Sequence, residues 1–203
     1  MGKYINKVYL LFSAKGGGPM PVVRAGDTLV YKTWRPLSGS LSPENWFSLK
    51  QKKMKLALSL LHIHIMQLFY RSRGYCEAHL AYDAGKLVHY CFLLPASFRV
   101  PLMQPGDLEI GPYWTDPEYR GRGITPHSVG IIKASHPGTS LYILMRRDNG
   151  ASMRVAEKNA FLKIAECVRK KRWLLARYPL YSDDTANPIG ADRKEVCRLQ
   201  NKG

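Results

Sequence analysis

Arginine and glycine alternate in the segment RGRG, residues 120–123. Glycine permits the positive φ angles that let backbone N–H groups converge on one point, and arginine adds charge-assisted hydrogen bonds to an anion. Thr125 and Pro126, which follow, are typical of a helix start, and a helix N-terminus attracts negative charge. These residues predict a phosphate or pyrophosphate site, although an exposed basic turn is an alternative that they leave open.

The elements on either side of this turn must position it. The preceding segment DLEIGPYWT, residues 107–115, predicts a strand, and the following segment HSVGIIKA, residues 127–134, continues the helix that Thr125 caps. Pro112 lies inside the predicted strand. Because proline cannot donate to a sheet ladder, it is usual only at sheet edges and bulges.

Upstream of this strand the sequence predicts short strands in the first forty residues and one helix. The helix begins at SPENW, where Ser42 caps it and Pro43 takes the first position, and it ends near Tyr70. Its apolar segment, residues 56–70, is shorter than the ~20 residues of a membrane span, which predicts a buried helix and leaves peripheral membrane contact open. His62 and His64 are two residues apart and point to different helix faces, which argues against a shared metal.

A hairpin is predicted where YCEAHLAY and KLVHYCFLL flank Ala84-Gly85. With a two-residue turn, Asp83 faces Lys86, and the register then pairs Cys91 with Ala78 and Cys76 with Leu93.

Further along, SLYILM predicts a buried strand, residues 151–171 one long amphipathic helix and RWLLARYPLY a final strand. The apolar side of that helix comprises Val155, Phe161, Leu162, Ala165 and Val168. The order of elements from residue 74 predicts an α/β fold with a mixed sheet and packed helices.

We expect a single domain over residues 1–203, with N-terminal strands and helices in 1–73, a core in 74–181 and a polar tail in 182–203. The net charge of +16 favours an anionic partner. The four cysteines, Cys76, Cys91, Cys167 and Cys197, form no CxxC pair, which removes the main support for zinc-ribbon and thioredoxin functions. We expect free thiols in a reducing, cytoplasmic setting.

Two motifs resemble the GNAT acetyltransferase superfamily. RGRGIT, residues 120–125, is similar to its Arg/Gln-x-x-Gly-x-Gly/Ala signature, with Thr125 at a position where glycine or alanine is common. DNGASMRVAEKNAF, residues 148–161, resembles its N-x-x-A/S…E-K-x-G-F block, and Ala160 stands in place of the usual glycine. The resemblance covers about residues 74–180.

The resemblance implies a mostly antiparallel sheet with a parallel pair splayed at an acyl-CoA site, and helices on both faces. Acetyl-CoA would be the co-substrate, without a metal. The strand residues would hold its pantetheine arm, the turn its pyrophosphate and the second block the region near the thioester. Gly111-Pro112 would mark the parting of the strands. The cofactor-binding residues that the resemblance implies are Tyr113, Trp114, Thr115, Arg120, Gly121, Arg122, Gly123, Ile124, Thr125, Asn149 and Ser152.

The implied chemistry is direct attack of a primary amine on the thioester. Glu109 is the candidate base, Asp107 on the same predicted strand face is its rival, and His89 is third. A backbone N–H just after Pro112 would stabilise the oxyanion.

The proton donor for the leaving thiolate is open, because Ala156 stands where many relatives have a tyrosine. The candidates are Ser152, a water, Tyr178 and Tyr181, and a thiolate could also leave without an acid.

We expect an N-acetyltransferase whose acceptor is an anionic small molecule or an amino sugar of surface-polysaccharide biosynthesis. A protein N-terminus, a lysine or a polyamine are further acceptors. The alternatives are a non-catalytic CoA-binding module and a basic RNA- or ribosome-binding protein. The run VRKKR, residues 168–172, supports the latter, but a solvated helix end explains it better, so we do not expect nucleic acid as a partner. A homodimer stays open.

Overall fold

The computed structural model describes residues 8–22, 28–38, 40–50, 53–70, 76–95, 100, 102–168, 170–172, 175–177 and 180–181. The predicted polar tail, Cys197 and Tyr178 lie outside these residues, and only the backbone of Tyr181 is described.

The described part of the chain contains ten strands, three α-helices and two short 3-10 helices. The helices are α1 (Lys53–Tyr70), α2 (Ile124–Ser135) and α3 (Gly150–Lys158). The strands are β1 (Val8–Lys15), β2 (Val30–Trp34), β3 (Glu77–Asp83), β4 (Lys86–Pro95), β5 (Leu108–Thr115), β6 (Ser140–Arg146), β7 (Leu162–Val168), β8 (Lys170–Arg172), β9 (Leu175–Arg177) and β10 (Leu180–Tyr181).

Eight strands form one sheet in the order β10-β7-β1-β6-β5-β4-β3-β2, and β8 with β9 forms a separate pair. The pairings within the large sheet are antiparallel except for that of β5 with β6. The predicted mixed α/β fold, mostly antiparallel with one parallel pair, is therefore confirmed.

Helices cover both faces of the sheet, as predicted. Cys91 and Leu93 of β4 pack with Val129 of α2 and Val155 of α3 in one core. On the other face β4 contributes its alternate residues, such as Phe92, to a second core with α1. This alternation follows from the two-residue period of a strand buried on both sides.

β1 lies in the interior of the sheet, between β6 and β7. The strand predicted near the start of the sequence is confirmed, whereas its place beside the strands that follow residue 139 could not be read from the sequence. Residues 8–15 are thus part of the same sheet as the core predicted for residues 74–181.

The long helix predicted for residues 151–171 is wrong. α3 ends at Lys158, Ala160 adopts a φ of 55°, and β7 begins at Leu162. A left-handed residue stops the helix, and pairing with β1 then favours an extended chain. Leu162, predicted on the apolar helix side, is 67% exposed. The final strand predicted for residues 172–181 is also wrong as one element, because the chain there contributes to three short strands, β8, β9 and β10.

The hairpin is confirmed with Asp83 opposite Lys86, but its register differs from the prediction beyond a bulge at Ala81. Because the bulge adds one residue to β4, Cys91 faces His79 rather than Ala78. Leu93 faces Glu77 rather than Cys76.

The predicted helix start at Ser42 is also wrong. Asn45, with a φ of 53°, precedes a short 3-10 helix at Trp46–Ser48, and α1 comprises Lys53–Tyr70. Trp46 and Leu49 are buried against the α1 core, which fixes this turn in place.

The thiols of Cys76, Cys91 and Cys167 are buried and unpaired. Within the described residues no group of His, Cys, Asp and Glu side chains is arranged to hold a metal ion. None of the described helices is long and apolar enough to cross a membrane.

Candidate active site

β5 separates from β6 where the prediction placed the parting. Their parallel pairing covers only Leu108 and Glu109, and the pairing of β5 with β4 shifts between Ile110 and Tyr113, around Pro112. A cavity of about 350 Å³ opens between residues 109–113 of β5 and residues 143–146 of β6. Beyond Glu109 the edge of β5 is thus available to an extended ligand that pairs as an added strand.

The turn between β5 and α2 has the backbone geometry of an anion cradle. Gly121 and Gly123 both adopt a φ of 80°, and Gly123 rather than Thr125 precedes the first helical residue. No side chain caps α2, so its first N–H groups are left without a side-chain partner. Ile124 is buried and anchors the turn against Ala81 and Val88.

Thr125, predicted as the helix cap, has another role. Its hydroxyl lies 3.0 Å from the Thr115 hydroxyl and so joins the end of β5 to the start of α2. The Thr115 hydroxyl in turn lies 2.8 Å from Nδ1 of His89. These contacts hold the end of β5 close to the start of α2.

A groove of about 530 Å³ extends from this turn to α3. Most of the predicted cofactor-binding residues line it, namely Tyr113, Trp114, Thr115, Arg120, Gly121, Gly123, Ile124, Thr125, Asn149 and Ser152. Arg122 is the exception, because its guanidinium lies over the Tyr119 ring, 4.7 Å from the centroid.

Two basic residues of the groove were missed by the sequence interpretation. Arg154 and Lys158 of α3 line the groove together with Arg120. Their spacing of four residues, on the same helix face as Ala151, is the signal that could have identified them. With Arg120 they give the groove three positive side chains, which suits a ligand that carries several phosphates.

Asn149 caps α3 by accepting a hydrogen bond from the Ser152 N–H, at 3.2 Å. Its side-chain oxygen therefore orders the helix start as well as lining the groove. Asn149, Ser152 and Tyr113 line both the groove and the cavity between β5 and β6. The two spaces are therefore adjacent and share one wall.

Tyr113 lines this shared wall, and its hydroxyl oxygen is buried. Burial raises the pKa of Tyr113 to about 12, although the Ser152 hydroxyl opposes that shift. The phenol is therefore protonated throughout the neutral range and can donate a proton. Ala156, where a tyrosine was expected from the resemblance, is fully buried in the core beneath α3 and does not line either space.

The three candidate bases lie in different surroundings. Glu109 is buried and lines the cavity between the parted strands. Asp107 precedes β5 rather than sharing a strand face with Glu109, and its carboxylate accepts a hydrogen bond from the Gln104 N–H. His89 is fully buried, and burial lowers its pKa to about 3. Of the three, only Glu109 lines the cavity.

Neither a protein-family model nor a curated protein matches the sequence significantly. Solved structures do match its fold. A GNAT-family acetyltransferase from Colwellia psychrerythraea has a TM-score of 0.51 at 11% identity, covering 80% of this chain and 54% of its own. A GCN5-related N-acetyltransferase from Sphaerobacter thermophilus has a TM-score of 0.51 at 13% identity, covering 80% of this chain and 50% of its own.

A functionally unknown conserved protein from Staphylococcus epidermidis has a TM-score of 0.53 at 11% identity, covering 79% of this chain and 59% of its own. The chain thus spans about half to three-fifths of the length of these structures. Its fold is that of the GNAT acetyltransferases, as the resemblance in the two motifs implied.

Proposed function

We propose that the protein is an N-acetyltransferase that moves an acetyl group from acetyl-CoA to a primary amine. The observation that carries this proposal is the shared wall formed by Tyr113, Asn149 and Ser152. It connects a basic groove at a glycine-rich turn to a cavity that contains a buried carboxylate. A phosphate-rich ligand with a long thioester arm would occupy both spaces at once.

The described residues suit acetyl-CoA. The backbone N–H groups of residues 121–124 and the side chain of Arg120 would hold the pyrophosphate, and Arg154 and Lys158 would attract further phosphate charge. The free edge of β5 after Glu109 would pair with the amides of the pantetheine arm. Acetyl-CoA would supply an activated acyl group at the parted strands.

The side chains around the cavity divide the catalytic work. Glu109, directly or through water, would take the proton of the attacking amine. The N–H of Tyr113, just after Pro112, would stabilise negative charge on the carbonyl oxygen. The Tyr113 hydroxyl would protonate the departing sulfur, a role that Ala156 cannot fill. The Ser152 hydroxyl is the rival donor at the same wall.

A cytoplasmic setting accords with this proposal, since the described cysteines are free thiols. The amino-sugar acceptor remains a prediction from the sequence. The two alternative functions, a non-catalytic CoA-binding module and an RNA-binding protein, are outcomes of the test below.

The test is a thermal-shift series with acetyl-CoA, CoA and RNA, followed by an assay of thiol release with a panel of amines. We expect both CoA species to raise the Tm and at least one amine to release thiol. Stabilisation by RNA and not by either CoA species would refute the proposal. Stabilisation by CoA without thiol release on any amine would support the non-catalytic module.

A further inference from the structure

A separate cavity of about 200 Å³ lies between α1 and the sheet. It is lined by Leu58, Ser59, His62, Ile63, Phe92, Leu94 and Pro112. Five of these side chains are apolar, and Phe92 and Ile63 are almost fully buried. An apolar cavity of ~150 Å³ holds a benzene ring in another protein, so this space has room for an aromatic ring or a branched aliphatic group.

The cavity lies beside the parted strands. Pro112 lines both this cavity and the space between β5 and β6. Leu94 lies directly opposite Glu109 in the β4–β5 register, and residues paired in this way project to the same face of a sheet. The carboxylate of Glu109 therefore lies on the face that carries the cavity.

We infer that this cavity receives the non-reacting part of the acceptor, and that the acceptor is a small primary amine carrying an aliphatic or aromatic group. The inference rests on the proposed function, since it takes the thioester to lie at the parted strands. An amine whose apolar group contacts Phe92 and Ile63 presents its nitrogen toward Pro112, on the same face as Glu109.

The mostly apolar lining of the cavity favours an apolar amine over an amino sugar as the acceptor. Among the described lining residues only Ser59 and His62 carry polar side-chain groups. The hydroxyls of an amino sugar would lose water there without gaining enough partners, and each buried unpaired hydroxyl costs binding free energy. The amino sugar expected from the sequence is therefore a poorer fit to this cavity than an apolar amine.

The first experiment measures kcat/KM for the n-alkylamines from ethylamine to hexylamine, with 2-phenylethylamine and glucosamine. Each added methylene is expected to raise kcat/KM about fourfold until the cavity is full, since burial of one methylene is worth roughly 0.8 kcal/mol. A flat series, with glucosamine as the best acceptor, would overturn the inference and leave the acetyltransferase proposal standing.

Two matched leucines on α1 provide the variants. Leu58 lines the cavity and is 56% exposed, whereas Leu61 is 55% exposed and does not line it. Both substitutions to alanine should fold. Leu58→Ala is expected to reduce the gain per methylene, and Leu61→Ala to leave it unchanged. Equal effects of the two variants would contradict the assignment of the cavity.

Calorimetric titration of hexylamine into the protein with CoA gives a readout that does not depend on turnover. If no amine is acetylated but hexylamine binds and Leu58→Ala weakens that binding, the cavity is an amine site and the proposed function fails. If hexylamine does not bind the wild-type protein in the presence of CoA, the inference fails, whatever the activity on other amines.

Discussion

Tyr113 and Ser152 both line the basic groove and the cavity between β5 and β6, so they lie where the two spaces join. One comes from the strand just after Pro112 and the other from the first turn of α3. The wall that they form places a protonated phenol beside the position proposed for the thioester. Tyr113 is therefore the proposed proton donor in place of the tyrosine that is missing at Ala156.

Tyr113→Phe is expected to lower kcat about 10–100-fold, because the general acid is lost. Since burial raises the pKa of Tyr113 to about 12, the wild-type rate should show no downturn from this group below about pH 10. Steady-state kinetics over that pH range checks both points. If Ser152→Ala causes the larger loss, the proton donor is Ser152 instead.

Glu109→Gln is expected to lower kcat/KM about 100-fold near pH 7, because the amide cannot accept a proton. The deficit should shrink as the pH rises, since more of the amine is then already unprotonated. Asp107→Asn is the comparison, because the Asp107 carboxylate accepts a hydrogen bond from the Gln104 N–H and does not line the cavity. A larger rate loss in the Asp107 variant would reverse the assignment of the base.

Arg120→Ala and Arg122→Ala form a matched pair in the same turn. Arg120 lines the groove, whereas the Arg122 guanidinium is stacked on Tyr119. We expect Arg120→Ala to raise the Kd for CoA about tenfold through the loss of charge-assisted hydrogen bonds, and Arg122→Ala to change it much less. Calorimetric titration with CoA measures both values, and equal losses would show that Arg122 also reaches the ligand.

The sequence predicts those features of the structure that neighbouring residues determine. The glycine-rich turn and the irregular strand at Pro112 both follow from local backbone preferences. The position of the turn could therefore be predicted from its own residues, whereas the parting of the strands at Gly111-Pro112 was predicted with the help of the family resemblance.

The predictions are wrong or incomplete for those features that depend on contacts between distant segments of the chain. The bulge beyond Ala81 depends on how β3 meets β4, and the short α3 depends on β7 pairing with β1. The side chain of Arg122 turns away because Tyr119 is in reach, a contact that the RGRG motif does not encode. The cavity between α1 and β4 likewise appears only once two distant segments pack together.

Ala160→Gly is expected to stabilise the protein by about 0.5–1 kcal/mol, because glycine relieves the left-handed strain at a φ of 55° despite its entropic cost. Thermal and urea denaturation measure this gain. Ala57→Gly, at an exposed position within α1, is the control with the opposite sign and should cost about 1 kcal/mol. A loss of stability in the Ala160 variant would contradict the left-handed conformation.

Glu77 makes the free energy of unfolding depend on pH in the acidic range. Burial opposes ionisation of this carboxyl, but hydrogen bonds from His79 and Arg35 bring its pKa from 4.5 down to about 2. Because the folded-state pKa is depressed, the carboxylate stabilises the fold fully above about pH 4.5, and its contribution of about 3 kcal/mol is lost as the pH falls through about 2.

Urea denaturation between pH 3 and pH 6 tests this contribution with the variant Glu77→Gln. The variant should be less stable than the wild type at pH 6, and the difference should narrow as the pH falls. Glu44→Gln, which removes an exposed carboxylate paired with Lys32, is the control and should change the curve little. If the difference in stability between Glu77→Gln and the wild type did not change with pH, ionisation of Glu77 would not be the source of this stabilisation.

The interior position of β1 also has a consequence for how the chain reaches this fold. Lys15 bonds to Ser140, 125 residues further along, and the other neighbour of β1 is β7, which is later still. Such contacts raise the contact order and slow folding. During translation β1 leaves the ribosome long before either neighbour exists. An apolar strand such as VYLLFS must therefore stay unpaired until residues 140–168 have been made, and in that interval it is exposed to chaperones and to aggregation.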